Sequence, residues 1–435
     1  MKIGLEVHVA LPTKSKLFCR CSADASEEPN TAICPICMGF PGSKPMLNRE
    51  AVRMALSIAR ALGCKTPSNI SFLRKIYFYP DLPKSFQITQ LEEAVGREGL
   101  VEYKERGVRI RRVQIEEDPA KIVRGDEYTL LDFNRSGVPL VEIVTEPDIS
   151  GEDDLRDFMT ELRSILYYLG VDIERELKVD LNISLAEQRV EVKNITGIKN
   201  IADAAHYEIE RQEGLIREHR AIAAETRSYN EEKMSTVQSR EKESNEEYGF
   251  IYEPDLATYD VSDIVPEDPV YATRIADSYA KGFHANAQQI REAILFNRDT
   301  LRLIDASKDS NEMRIVMNGI AILQRHKALD IEEGEFLRLL ELLRNGTEID
   351  AGIIRRLRLG EEININMRAN LDELDDEIRK TIENEGALIE EYKSNKKVFN
   401  FLVGKIAKKY KASPRYVSER LRLILEGEEK GHRAL

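Results

Sequence analysis

Four cysteines close together in the chain place the strongest constraint on how it can fold. Cys19-x-Cys21 and, twelve residues later, Cys34-x-x-Cys37 form two close pairs. Zn²⁺ takes four soft ligands in a tetrahedron, and two such pairs joined by a loop supply them without strain. The pattern therefore predicts a structural zinc knuckle over residues 19–37, and the alternative is a set of four buried free thiols.

Cysteine number and the start of the chain indicate an intracellular protein. The five cysteines are an odd number, and Met1–Glu6 lacks the apolar segment of a secretory signal, so a disulfide framework is not expected. No run of about 18 apolar residues occurs, which predicts that nothing spans a membrane. We therefore expect a cytoplasmic protein.

The charge distribution predicts where a nucleic acid would bind. The formal net charge of −13 repels nucleic acid overall, so binding requires a local basic patch. Residues 393–422 contain ten lysines and arginines against one acid, Glu419. This basic segment is a candidate contact for phosphates, and the alternative is a solvated amphipathic helix.

Hydrophobic periodicity predicts an α+β fold with a largely antiparallel sheet. Leu5–Val9 alternates strictly between apolar and polar residues, as does Leu177–Leu185, which forms a predicted hairpin with Arg189–Lys193. Tyr128–Phe133 and Pro139–Val144 are two further predicted strands, joined through a short turn. Because few strands alternate regularly with helices, a doubly wound fold is not expected.

Two predicted helices with capping residues at their ends flank these strands, and later in the chain the residue pattern changes to a helical one. Asn48 and Ser150 are candidate N-caps, while Gly63 and Gly170 mark the predicted helix ends. From about residue 260 proline becomes rare and long helical patterns dominate, such as those predicted over Ile290–Ile304 and Glu333–Leu343. We therefore predict an α+β domain at 1–260, an all-α helical domain at 261–365 and a small helical tail domain at 366–435.

Carboxylates on the polar faces of the strands are candidate ligands for Mg²⁺. Alternation places Glu6 and His8 together on one face of the first strand. Glu142 lies inside an apolar strand, Asp180 faces away from its apolar neighbours, and three acids follow one another at 116–118. Mg²⁺ prefers such oxygen ligands. The alternative is an ordinary solvated strand face, since periodicity alone does not show that these strands meet.

Aromatic and cationic side chains interleave in Arg74–Lys84, between prolines that restrict the loop. Aromatics can stack on a base and lysines can hold phosphates, although a tyrosine-rich core loop would have the same composition. No GxxxxGK[ST] motif occurs, so a nucleotide site here would not be a P-loop.

Nine blocks, read together, resemble the B subunit of the glutaminyl/asparaginyl-tRNA amidotransferases, the GatB/GatE family. They occur in the expected order within the first 256 residues, and the basic segment resembles the tail domain of that family. The blocks are Gly4–Val9, Ser15–Cys21, Pro29–Thr31, Cys34–Cys37, Arg74–Lys84, Glu116–Asp118, Leu140–Asp148, Val190–Asn194 and Glu253–Leu256.

The resemblance implies an architecture, a reaction and partners. Residues 1–260 would form a cradle-shaped catalytic domain, and residues 366–435 would bind tRNA. The enzyme would use ATP and Mg²⁺ to phosphorylate the side-chain carboxylate of Glu-tRNA(Gln) or Asp-tRNA(Asn), and ammonia would then displace the phosphate to give Gln-tRNA(Gln) or Asn-tRNA(Asn). An amidase (A) subunit would release the ammonia from glutamine, and a small C subunit would complete a heterotrimer.

The resemblance also implies roles for individual residues. The expected Mg²⁺ ligands are Glu6, His8, Glu117 and Glu142, and Asp180 matches a further metal-binding position of the family; together they form the expected catalytic set. Expected ligands of the nucleotide or its phosphates are Lys75, Lys84 and Lys193, and expected zinc ligands are Cys19, Cys21, Cys34 and Cys37.

Two rival interpretations remain open. A related archaeal subunit that acts only on Glu-tRNA carries a long inserted domain, for which this chain has no room. A tRNA-binding, zinc-stabilised scaffold would not need Glu142 inside an apolar strand, so the acid favours an enzyme. Departures from the family pattern at Pro119–Ala120, Val179, Leu181 and Ala257–Thr258 indicate a divergent branch, and the choice between Glu-tRNA and Asp-tRNA stays open.

Overall fold

The protein, studied as a computed structural model, divides into two compact units, Met1–Asp277 and Ser278–Leu435. The described residues are 1–24, 28–125, 127–171, 177–241, 249–283, 286, 290–291, 294, 300, 304, 309–326, 328, 331–344, 347, 349–361, 378, 380, 399–400, 402–406, 417–418 and 421–422. The predicted boundary between the helical domain and the tail domain, after residue 365, lies outside the described residues. So does most of the basic segment 393–422.

The first unit contains the strands of the described chain. They are β1 (Lys2–Ala10), β2 (Asn69–Ile70), β3 (Leu73–Ile76), β4 (Phe86–Thr89), β5 (Gly96–Tyr103), β6 (Arg106–Glu117), β7 (Lys121–Arg124), β8 (Thr129–Asp132), β9 (Pro139–Thr145), β10 (Lys178–Ser184), β11 (Val190–Thr196), β12 (Glu225–Asn230), β13 (Ser235–Glu241), β14 (Gly249–Tyr252) and β15 (Tyr259–Asp260). Eight of them form the main sheet, in the order β13-β12-β11-β10-β1-β9-β6-β5.

Helices of the described chain occur in both units. They are α1 (Arg49–Ala61), α2 (Glu152–Tyr168), α3 (Ile198–Arg217), α4 (Ala272–Phe283), α5 (Ser310–Arg325), α6 (Glu333–Arg344) and α7 (Ala351–Arg358). The helix predicted over Glu333–Leu343 is confirmed as α6, whereas most of the pattern predicted over 290–304 lies outside the described residues. No described helix has the length and apolarity needed to cross a membrane.

Strand β1 lies at the centre of the main sheet, between β10 and β9. Its odd-numbered side chains, Ile3 to Val9, are at most 1% exposed, while Glu6 and His8 point to the opposite face, as predicted. Helices α1, α2 and α3 pack against the main sheet and belong with it to one hydrophobic core. One face of the sheet is therefore covered by helices, and polar side chains of β1 occupy the other.

The main sheet is mixed. Its pairs are antiparallel except for β11 and β12, which run parallel and are joined by helix α3. The predicted hairpin is confirmed, because β10 and β11 pair antiparallel from Lys178↔Thr196 to Ile183↔Val190. Strands and helices in this arrangement confirm a mixed fold consistent with the predicted α+β class.

The end signals of α1 act as predicted. Asn48 accepts hydrogen bonds from the backbone N–H groups of Glu50 and Ala51, which satisfies two donors of the first turn. Gly63 has a φ of +68°, and a Cβ at that position would lie 2.8 Å from the carbonyl oxygen of Leu100. Glycine is therefore required there both for the turn and for the close approach of β5.

One local prediction needs correction, and another is confirmed. Ser150 is the predicted N-cap of α2, but Gly151 occupies that position, and Ser150 instead donates its N–H and hydroxyl to the Asp154 carboxylate at 2.8 and 2.9 Å. Strands β8 and β9 are confirmed close to their predicted bounds, and they belong to different sheets. Strand β8 pairs with β7, and β9 enters the main sheet between β1 and β6.

Candidate active site

Acidic side chains from five neighbouring strands meet on the polar face of the main sheet. Register places His8 of β1 directly opposite Glu142 of β9, and Glu6 of β1 directly opposite Asp180 of β10. Glu116 of β6 and Glu191 of β11 extend the set to either side. We call this surface, defined by Glu6, His8, Glu116, Glu142, Asp180 and Glu191, the carboxylate face.

One group of possible metal ligands on this face contains His8, Glu116 and Glu142. One ligand atom from each lies within 4.8 Å of the others, and His8 Nε2 is 3.5 Å from Glu116 Oε1. Gln114 donates a hydrogen bond to Glu142, and its own Oε1 is buried without a hydrogen-bond partner. An amide oxygen left in this way next to two carboxylates suits a hard cation.

A second group contains Glu6, Asp180 and Glu191, whose ligand atoms also lie within 4.8 Å of one another. Lys193 borders this group, with its Nζ 3.8 Å from Asp180 Oδ2 and 3.5 Å from Glu191 Oε1. Asn182 donates from Nδ2 to Glu6 Oε1 at 3.4 Å. The two groups share strand β1, so the face offers two adjacent places for a cation.

The electrostatics of the face favour the binding of a cation. Burial raises the pKa of Glu6, and the charge of Glu142 raises it further. Burial likewise raises the pKa of Glu142, with Glu116 as the next cause. Burial lowers the pKa of His8, but the surrounding carboxylates, Glu116 first, raise it by more. The face therefore carries more negative charge than its own cations compensate, which a divalent ion would relieve.

Glu117, predicted as a metal ligand, lies outside both groups. Strand β6 continues through Glu117, so alternation turns Glu116 towards the carboxylate face and Glu117 away from it. Both carboxylate oxygens of Glu117 accept hydrogen bonds from Lys84 Nζ, at 2.5 and 2.6 Å, and one also accepts the N–H of Ile88 at 2.9 Å. Glu117 therefore forms a nearly buried ion pair with Lys84, beside the face.

The three predicted phosphate ligands occupy different positions. Lys193 lies on the carboxylate face itself, as described above. The charge of Lys75, on β3, lowers the pKa of Glu142 after the effects of burial, Glu116 and His8, so this lysine borders the same face. Lys84 is engaged with Glu117, and its Nζ lies 5.9 Å from the Phe18 ring and 5.6 Å from the Phe86 ring.

Sequence reasoning missed Glu191, and from the three acids at 116–118 it selected Glu117 rather than Glu116. Strand alternation could have identified both Glu116 and Glu191. Glu116 has the opposite parity to the buried Val113 and Ile115, and Glu191 stands between Val190 and Val192. In each case a carboxylate that alternates with core residues marks the polar face.

The four predicted zinc ligands come together. The Sγ atoms of Cys19, Cys21, Cys34 and Cys37 all lie within 4.8 Å of one another. The backbone turns back over the second pair, where the N–H of Cys34 donates to Cys37 Sγ at 3.1 Å. Four thiols at this spacing can hold a metal ion, and their softness suits zinc.

Charge is unevenly distributed among these thiols. A hydrogen bond from the Cys19 thiol lowers the pKa of Cys37 to about 5, against the opposing effect of burial and with help from Lys16. Burial raises the pKa of Cys21 to about 11. Lys16 is fully buried, and its Nζ lies 3.8 Å from Cys37 Sγ and 3.2 Å from the carbonyl oxygen of Phe133. A buried ammonium beside the cluster favours the thiolate forms that bind metals.

The fold and these two sites define a protein that can hold a divalent cation on one face of a mixed sheet and a second metal in a cysteine knuckle. Comparison with known families agrees, because residues 1–267 match the GatB/GatE catalytic domain. The chain belongs to the GatB/GatE family, which confirms the resemblance drawn from its motifs.

Similarity to known proteins extends over nearly the whole chain, and three of them are named as the B subunit of an aspartyl/glutamyl-tRNA(Asn/Gln) amidotransferase. The one from Sulfolobus acidocaldarius is 37% identical, over 96% of this chain and 98% of its own. Its counterpart in Methanoregula boonei is 38% identical over 94% of each chain. The protein from Thermotoga neapolitana is 35% identical over 98% of this chain and 99% of its own.

Proposed function

We propose that this chain is the tRNA-dependent transamidase subunit of an amidotransferase. It phosphorylates the side-chain carboxylate of Glu-tRNA(Gln), Asp-tRNA(Asn) or both with ATP, and then joins ammonia to the activated carbonyl. A free carboxylate is a poor electrophile, whereas an acyl phosphate has a good leaving group. The observation that carries the proposal is the carboxylate face, which lies within the region that matches the family's catalytic domain.

The carboxylate face would hold the Mg²⁺ that accompanies ATP. Its oxygen ligands and surplus negative charge fit a hard dication, which when bound would neutralise charge on the transferring phosphoryl group. Glu6, His8, Glu142 and Asp180 keep the ligand roles expected of them, and Glu116 takes the place expected for Glu117, which is paired with Lys84.

The cations around the face would orient the phosphates. Lys193 lies on the face and Lys75 borders it, so both fit the expected role of phosphate ligand. Lys84 would contribute indirectly, by holding Glu117 in a nearly buried ion pair, rather than by direct contact with the phosphates. Phosphates that enter between these lysines and the carboxylates would meet alternating charges, which fix the orientation of the nucleotide.

The remaining parts of the chain would serve the same role. The cysteine knuckle would hold structural Zn²⁺, and residues 1–260 would form the cradle of the expected three-domain arrangement. Residues 261–365 would form the helical domain, and the tail at 366–435, which contains the basic segment, would hold the tRNA through its phosphates. An amidase (A) subunit and a small C subunit would complete the cytoplasmic complex, since the relatives are named as subunits of a larger amidotransferase.

Reconstituted enzyme provides the test. The chain is combined with its amidase and small subunits and supplied with Glu-tRNA, Asp-tRNA, ATP, Mg²⁺ and ammonium chloride, and the amide on tRNA and the ADP released are measured. Glu142→Gln should abolish both products while tRNA binding persists. Glu187→Gln is the matched control, because it makes the same change of charge at an exposed turn between β10 and β11.

A second pair of variants separates the two neighbouring acids of β6. Glu116→Gln should raise the Mg²⁺ concentration needed for half-maximal rate, because it removes a ligand of the first group. Glu117→Gln should lower the rate at saturating Mg²⁺ without that shift, because it breaks the pair with Lys84. If the wild-type complex binds tRNA but never consumes ATP, the chain is a scaffold and the proposal fails.

A further inference from the structure

A pocket opens on the carboxylate face where β1 begins and where β9 and β10 end. Its volume is about 140 Å³, and the side chains that matter here are Lys2, Glu6, Arg111, Asn182 and Arg189. We propose that this rim pocket binds a phosphate group of a substrate, next to the cation-binding groups. The identity of that substrate, ATP or the phosphodiester backbone at the acceptor end of tRNA, rests on the proposed function.

Positive charge around the opening is the first argument. Among the residues that the structure describes, neither Lys2 nor Arg189 has an ion-pair or side-chain hydrogen-bond partner, and both are exposed. Arg111 is half-exposed and holds Glu146 through two hydrogen bonds of 2.9 Å. In a chain with a net charge of −13, cations gathered at one opening attract anions. Guanidinium groups match the geometry of phosphate oxygens.

The floor of the rim pocket gives the second argument. Glu6 lines it and belongs to the second group of possible cation ligands. Asn182 is 8% exposed and donates to Glu6, while its Oδ1 is buried without a hydrogen-bond partner. Mg²⁺ in proteins is usually held by one or two carboxylates together with substrate phosphates. A phosphate in the rim pocket would therefore lie between the rim cations and a cation held by Glu6.

Size limits the ligand to part of a molecule. Pockets that enclose a whole small ligand usually measure about 300–1,000 Å³, and the rim pocket is less than half the lower bound. It therefore suits a phosphate group rather than a nucleoside. None of the predicted phosphate ligands, Lys75, Lys84 and Lys193, lines it, so the rim pocket adds a contact that the motifs do not indicate.

The test measures binding of inorganic pyrophosphate with Mg²⁺ to the complete amidotransferase complex by titration calorimetry. The variant Lys2→Gln/Arg189→Gln should bind it about tenfold more weakly or worse, because the loss of a single charge-assisted hydrogen bond already has roughly that effect. The control variant Arg124→Gln/Lys233→Gln makes the same change of charge at exposed positions of β7 and of the β12–β13 turn, away from the rim pocket. It should bind within twofold of wild type.

Two outcomes of this titration overturn the proposal. One is equal affinity for the pocket variant and the control variant. The other is the absence of saturable pyrophosphate binding to wild type. Weaker binding in the pocket variant supports the proposal even if the wild-type complex never consumes ATP, so its failure and that of the proposed function are distinguishable.

Parallel titrations with ATP and with uncharged tRNA identify the source of the phosphate. If only ATP binding weakens in the pocket variant, the rim pocket takes the triphosphate. If only tRNA binding weakens, with a smaller dependence of affinity on salt, it takes the backbone of the acceptor end. If both ligands bind the pocket variant as they bind the control, the assignment to a substrate phosphate is wrong.

Discussion

The ion pair between Lys84 and Glu117 allows a quantitative test of how the face is supported. The two side chains are 11% and 6% exposed, and Glu117 is left with one further hydrogen bond, from the N–H of Ile88, if the lysine is removed. Lys84→Met keeps most of the apolar stem but leaves a buried carboxylate without its counter-charge. Breaking a buried pair in this way costs about 3–5 kcal/mol.

Urea unfolding followed by circular dichroism measures this cost. With an m-value of about 3 kcal/mol per molar urea, the midpoint of Lys84→Met should fall by about 1 M or more. The double variant Lys84→Met/Glu117→Gln should recover most of the loss, because neither partner is then charged. Lys65→Met is the control: it removes an exposed pair with Glu98 and should leave the midpoint unchanged.

Two results would refute this reasoning. A midpoint for Lys84→Met that stays within about 0.3 M of wild type would mean that water or another cation compensates Glu117, since that shift corresponds to only about 1 kcal/mol. A double variant no more stable than Lys84→Met would mean that the loss comes from packing rather than charge. Packing is a real alternative, because a Cβ at Gly39 would collide with the Lys84 side chain, so the stem of this lysine fills that space.

Three further predictions follow from the geometry. Because burial raises the pKa of Glu142, the native state keeps a proton on this carboxyl up to a higher pH than the unfolded state does, and the ionised form destabilises the fold at high pH. Glu142→Gln should therefore add about 1 kcal/mol to the free energy of unfolding at pH 8. This gain should vanish as the pH falls to 4.5, the ordinary pKa of a glutamate side chain. A gain independent of pH in denaturant titrations would contradict this. Lys16→Met should lower zinc affinity about tenfold in chelator competition, because the ammonium beside Cys37 offsets thiolate charge, and unchanged affinity would show that it does not. Gly63→Ala should cost about 1–3 kcal/mol in urea unfolding, because its φ is positive and Leu100 leaves no room, whereas a smaller loss would mean that the turn relaxes.

Local patterns predicted the parts of the fold that neighbouring residues determine. Alternation in β1 placed Glu6 and His8 on one face, and the cap at Asn48 fixed the start of α1. The N-cap of α2 was misplaced by one residue because Asp154 reaches back to Ser150 and leaves the cap position to Gly151. Whether Ser150 caps the helix or donates to Asp154 depends on the local geometry, which the residue types alone do not give.

Contacts between residues that are distant in the sequence could not be predicted from local patterns. Periodicity could not show that β8 and β9 enter different sheets, because strand pairing depends on the whole chain. The pairing of Lys84 with Glu117, and so the separation of Glu117 from Glu116, depends on β4 crossing near the end of β6. The motifs therefore indicated which residues gather near the face, while the structure shows which of the two adjacent acids of β6 lies on it.

The central position of β1 has a consequence for protein synthesis. His8 pairs with Glu142 on one side and with Lys178 on the other, so β1, which precedes both β9 and β10 in the chain, must wait for both neighbours during synthesis. At about 5–20 residues per second, the second neighbour follows about 9–34 seconds later. During that interval β1 lacks first both and then one of its two partner strands, and we expect the nascent chain to depend on chaperones until β10 emerges.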